Sequence, residues 1–98
     1  MLRNFNRDSP SGYQQILAVT MDAGNVNLTV PVGAAFAFVT PEAQGCRYRD
    51  DGPVPSATVG MPIPAGTTVR LEGALSLYRF ISSTAGCILN VIYYSPGL

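Results

Sequence analysis

Arg47, Arg49, Asp50 and Asp51 form the densest cluster of charge in this chain, within the stretch CRYRDDGPVPSATVGMPIPAGT that runs from 46 to 67. Residues of these types can pair as acid and base, hold a phosphate, or ligate a hard cation. Their spacing argues against the first role. Adjacent side chains on an extended strand point to opposite faces, so Asp50 and Asp51 cannot form a carboxylate dyad. Arg47 and Arg49 fall on one strand face, opposite Tyr48, where ion pairs with Asp50, Asp51 or Glu72, or contacts across a subunit boundary, suit them better than a phosphate site. Asp50 or Asp51 together with Asp22 or Asn25 would offer oxygen ligands of the kind calcium takes. That spacing follows no calcium loop, and aspartates beside Gly52-Pro53 serve as turn caps.

The remaining residues narrow the chemistry further. The chain has no histidine, so the usual general base and the commonest metal ligand are both missing. Serine and threonine are plentiful, but none sits in a nucleophile elbow, and Glu42 and Glu72 have no evident partner. Cys46 and Cys87 fall in expected strands; in a reducing compartment they stay buried thiols, and a cross-strand disulfide is the alternative. The expectation is a protein without catalytic, cofactor-binding or metal-binding residues.

Composition limits the partners. The 98 residues are 47% hydrophobic and 12% charged, about half the ~25% usual for a globular chain. Either a neutral Ser, Thr and Gly surface faces water, or part of the surface is covered by partners. Six acidic residues balance six arginines, so there is no electrostatic basis for binding nucleic acid. Residues 1–8 lack the apolar segment of a signal peptide, and no run approaches the ~18 apolar residues of a membrane-spanning helix. We expect a soluble protein made in a cytoplasm, with no membrane association.

The elements that must carry these residues read as β-structure throughout. Residues 1–12, polar, aperiodic and ending in Ser-Pro-Ser-Gly, read as an extended arm, and 13–98 as one sandwich domain. Arg3, Phe5 and Arg7 alternate along that arm and would face one side, either gripping another subunit or lying back on their own sheet. Short apolar runs broken by Gly, Pro, Asn and Asp place strands at 15–21, 26–30, 34–40, 46–50, 57–61, 67–72, 75–82 and 87–95. No stretch shows a sustained helical period. Eight short strands at such spacing predict an antiparallel β-sandwich or barrel, and the number favours a jelly roll.

The last expected strand is apolar on both sides. Cys87, Leu89, Val91 and Tyr93 line one face, and Ile88, Asn90, Ile92 and Tyr94 the other. A half-exposed strand should alternate apolar with polar. One face is core; the second packs under the arm or against another chain, and a homo-oligomer is the preferred account.

Tyr48-Arg-Asp-Asp-Gly52, Ala57-Thr-Val-Gly-Met-Pro62, Ala65-Gly66 and Leu89-Asn-Val-Ile-Tyr-Tyr94 together resemble small virion proteins of tailed bacteriophages, over about 27–94. That resemblance implies a non-enzymatic capsid decoration or cement protein on the capsid exterior. It would be a jelly roll that sits as a dimer or trimer over capsomer junctions and bridges the major capsid protein. The interface residues this reading nominates are Arg3, Phe5, Arg7, Arg47, Arg49, Ile88, Ile92 and Tyr94. The rival readings are a receptor- or glycan-binding module of a fibre or spike, with Tyr13 and Tyr48 as candidate platforms, and a head-tail or tail component.

Overall fold

The computed structural model describes residues 9–24 and 26–96. Among them, eight strands form two four-stranded antiparallel sheets. The strands are β1 (Ser9–Ile16), β2 (Val26–Asn27), β3 (Phe36–Glu42), β4 (Cys46–Arg49), β5 (Met61–Ile63), β6 (Val69–Glu72), β7 (Arg79–Ser82) and β8 (Ile88–Ser95), with a short helix α1 (Ala18–Ala23) between the first two. One sheet has the order β1-β8-β3-β6 and the other β2-β7-β4-β5. Four antiparallel pairs, β1 with β8, β2 with β7, β3 with β6 and β4 with β5, nest inside one another along the chain. Rolling that nested ribbon so that β8 meets β3 and β7 meets β4 closes the jelly roll. The expected all-β antiparallel sandwich is therefore the fold.

Alternation decides what each strand buries. Ala37 and Val39 of β3, Leu71 of β6, and Leu89, Val91 and Tyr93 of β8 turn inward from the first sheet. From the second sheet they meet Cys46, Ile63, Phe80 and Val26. A fully buried side chain of this size is worth about 1.5–3 kcal/mol relative to exposure, so this interleaved set is the main source of stability.

Strand boundaries differ from the sequence expectation where a backbone partner is present or missing. β1 begins at Ser9, inside the stretch read as an arm, because residues 9–16 find partners along β8 from Ser95 to Leu89. The chain expected to continue that strand to 21 instead coils into α1, whose Met21 is fully buried. Six residues are too short for helical periodicity to register. Residues 26–30 keep their inward alternation at Val26, Leu28 and Val30, yet pair with β7 only at Val26 and Asn27.

Two prolines expected to end strands lie inside them. Pro62 belongs to β5, at the sheet edge, where a missing donor on the outer side costs nothing. Pro41 pairs with Leu89 beyond the last β3–β6 pair. On that side Gly66 donates its N–H to the Pro41 carbonyl at 2.7 Å, so the absent proline N–H leaves no gap. Conversely, the strand expected over 57–61 starts only at Met61. Ser56 and Val59 exchange backbone hydrogen bonds with each other and close a tight turn. The strand expected over 75–82 opens with a single 3-10 turn at Leu75–Leu77 before β7.

Candidate functional site

The outer face of the β1-β8-β3-β6 sheet carries more apolar surface than a solvated sheet face needs. Register lines up its side chains in rows across the strands. One row runs Tyr13, Ile92, Phe38 and Arg70; the next runs Pro10, Tyr94, Phe36 and Glu72. Phe36 and Tyr94 stack with centroids 5.2 Å apart, and Phe38 meets both edge-on at 5.7 and 5.8 Å. The Arg70 guanidinium lies 3.8 Å over the Phe36 ring and pairs with Glu72 beside it. That cover leaves Phe36 only 6% exposed although it points outward.

A polar row borders the aromatic ones. Asn90 accepts from the Tyr13 hydroxyl at 2.6 Å and the Gln15 amide at 2.9 Å, and donates to Glu42 at 2.7 Å. The hydroxyls of Thr40 and Thr68 continue it, 2.7 Å apart. Tyr13 stands 62% exposed beside this row, while Ile88, Ile92 and Tyr94 are half-buried by their neighbours. The two-faced character read from the last strand is thus present: its even-numbered residues lie outside the core, with Ile92 and Tyr94 in the aromatic rows and Ile88 beyond the polar row of Asn90.

The charged cluster sits at the end of β4 in the other sheet, and Arg47, Arg49 and Asp51 are committed within the chain. Arg49 donates to both carboxylate oxygens of Asp51, at 2.9 and 2.7 Å. This hydrogen-bonded pairing holds the Asp51 carboxyl below the usual carboxylate range and the Arg49 guanidinium above its own. Asp51 therefore stays ionised near neutrality and offers no proton. Arg47 donates to the carbonyls of Ala57 at 3.2 Å and Gly60 at 2.8 Å, pinning the 50–60 loop. An open cavity of about 390 Å³, lined by Arg49, Asp50, Asp51, Gly60 and Met61, lies between this pair and the loop.

The oxygen ligands imagined for calcium do not converge. Asp22 accepts from the Ser82 hydroxyl at 2.7 Å and the Gly86 N–H at 3.0 Å, capping the β7–β8 connection. Asp50 and Asp51 follow Arg49, which pairs with Arg79 at the opposite end of β7 from Ser82. Asn25 lies outside the described residues, and among those described no group of three metal-ligating side chains gathers. No helix among them is long and apolar enough to cross a membrane.

Of the nominated interface residues, Ile88, Ile92 and Tyr94 come together on the one sheet face, whereas Arg47 and Arg49 lie on the other sheet. Arg3, Phe5 and Arg7 lie outside the described residues. Sequence reading overlooked Val54, Val59 and Met61, exposed at 46, 52 and 59% around the pinned loop, and Leu17 and Val19 at the start of α1. Scattered apolar residues in a Pro- and Gly-rich segment carry no period, so no pattern would have marked them. Phe36 and Phe38 were legible in principle, because residues 34–39 are apolar at every position.

These features define a small antiparallel jelly roll with one aromatic outer face. Comparison with known proteins finds no matching family model, no matching curated protein and no matching solved structure.

Proposed function

We propose that this chain is a non-enzymatic structural protein of a bacteriophage virion, a capsid decoration or cement protein. It self-associates as a dimer or trimer on the capsid exterior and bridges major capsid subunits. The observation that carries the reading is the outer face of the β1-β8-β3-β6 sheet, where Tyr13, Ile92, Phe38 and Tyr94 present a firm aromatic and apolar surface of the composition interfaces favour. The self-pairing of the Arg49–Asp51 charges also suits a module that works by contact rather than by chemistry. A modest contact repeated in an oligomer gains about 10²-fold or more through avidity.

Arg3, Phe5 and Arg7 would supply the contact to the shell. Their test is a chain lacking residues 1–8, which keeps β1 whole because Ser9 is its first residue. Loss of capsid occupancy with unchanged melting supports that role; unchanged occupancy refutes it.

The decisive experiment is electron cryomicroscopy of particles that carry the chain. Hundreds of copies at symmetry axes of the outer shell would support decoration. A handful of copies in a tail ring would replace it with a head-tail or tail component. Absence from particles, with specific binding in a glycan screen, would favour a receptor-binding module, for which Tyr13 is the best exposed aromatic ring beside polar partners.

A further inference from the structure

The two cysteines of this chain belong to different sheets and meet in the core. Cys46 opens β4 and Cys87 immediately precedes β8, and both are fully buried. Cys46 pairs across the ladder with Ser82, and five residues later, at Cys87, the chain is about to enter the other sheet. That corner, closed by the Ser83 N–H donating to the Gly45 carbonyl at 3.0 Å, brings both thiols into the one buried cluster, close enough for each to act on the other. In the described fold both are free thiols.

We propose that Cys46 and Cys87 are a core disulfide site whose oxidation state is set while the chain folds and is then sealed in. During folding in the presence of a low-molecular-weight disulfide, one protein thiolate attacks that disulfide and releases one small thiol, giving a mixed disulfide. The second protein thiolate attacks the protein sulfur of the mixed disulfide and releases the other small thiol. Two protein thiols are oxidised, one small disulfide is reduced, and two protons leave with the small thiols. The new bond joins β4 to the start of β8 and ties the two sheets together.

Sealing follows from the same geometry. Exchange requires a thiolate with access to its target, and neither sulfur reaches solvent in the folded chain. Burial pushes the Cys46 thiol up to about 12, and at Cys87 burial is reinforced by the nearby Asp22 carboxylate. A chain folded as the dithiol therefore stays a dithiol when an oxidant is added later.

The test compares two preparations of the full chain exposed to the same glutathione redox buffer, one refolded from denaturant in it and one folded reduced and then transferred to it. After quenching with acid, thiols are counted in denaturant and intact masses are recorded. The refolded sample is expected to show no thiols, a mass lower by two hydrogens, no covalent dimer, and a melting temperature higher by about 10 °C or more that reductant reverses. The transferred sample is expected to keep both thiols for hours. Two thiols, glutathione adducts or covalent dimers after refolding would overturn the disulfide site, as would a lower melting temperature. Oxidation of the transferred sample within minutes would overturn the sealing.

Discussion

The Tyr93 hydroxyl donates a 2.6 Å hydrogen bond to Oε1 of Gln14, and through it the last strand is tied to the loop after β2. Tyr93 is an inward residue of β8 and only 1% exposed. Gln14, its neighbour on β1, also accepts from the Thr29 N–H at 3.0 Å and donates to the Thr29 hydroxyl at 3.3 Å. One amide thus satisfies a buried phenol and anchors the loop after β2. Replacing it leaves a buried hydroxyl without its acceptor, so Gln14→Ala is expected to cost about 1–3 kcal/mol in urea denaturation. Tyr93→Phe combined with Gln14→Ala should cost less than the sum of the two single changes, because the orphaned hydroxyl is removed with its acceptor.

Alkaline pH should unfold the protein before it affects its charge pairs. Burial pushes Tyr93 from its ordinary value of 10.0 to about 12 and Cys46 from 9.0 to about 12. The unfolded chain loses these protons first, so between pH 9 and 12 it binds fewer protons than the folded one, and stability falls as pH rises. Below pH 9 the full contribution is present. Each shifted group removes about 1.4 kcal/mol per pH unit across its own window. Urea midpoints measured from pH ~8 to ~11 should decline, and Tyr93→Phe should flatten the part of the decline above pH ~10.

The pinned loop has a steric lock as well as a polar one. Gly60 adopts φ +136°, and a Cβ there would meet the Tyr48 carbonyl at 3.1 Å and the Arg47 and Pro55 side chains at 3.2 Å. Gly60→Ala is therefore expected to cost about 1–3 kcal/mol. Arg47→Ala frees the Ala57 and Gly60 carbonyls to solvent. It should raise proteolysis within 50–60 while changing the melting temperature by only a few degrees. Limited proteolysis followed by mass spectrometry reads both.

Much of this architecture was legible because alternation acts over whole strands. Leu89, Val91 and Tyr93 against Ile88, Ile92 and Tyr94 announced two apolar faces, and the register puts the first set in the core and the second on the outer sheet surface. What sequence could not show was pairing. Val26, Leu28 and Val30 alternate like a strand, but in residues 26–30 only Val26 and Asn27 find ladder partners, and Pro41 sits inside a strand because its proline-bearing side faces Gly66 rather than another strand. The aromatic face was half visible: its β8 residues could be named, but that Phe36, Phe38 and Tyr13 join them depends on which strands are neighbours. The charged cluster was the most conspicuous feature of the sequence and proved to be loop scaffolding at Arg47 and a surface ion pair at Arg49.

The outer face yields the sharpest test of self-association, because adjacent residues of β8 separate folding from assembly. Val91 points into the core with no exposed surface, and Ile92 points outward between Tyr13 and Phe38. A charge at Val91 buries without a partner, so Val91→Asp should prevent folding. A charge at Ile92 can reach water, so Ile92→Arg should leave the melting temperature within a few degrees of the parent. If the face is the contact between copies, Ile92→Arg would also leave an unpaired charge at the centre of that contact. Light scattering coupled to size exclusion should then show the parent as a dimer or trimer and the variant as a folded monomer. A parent that is monomeric at high concentration, or an Ile92→Arg variant that keeps the parent's mass, would remove this face from the assembly.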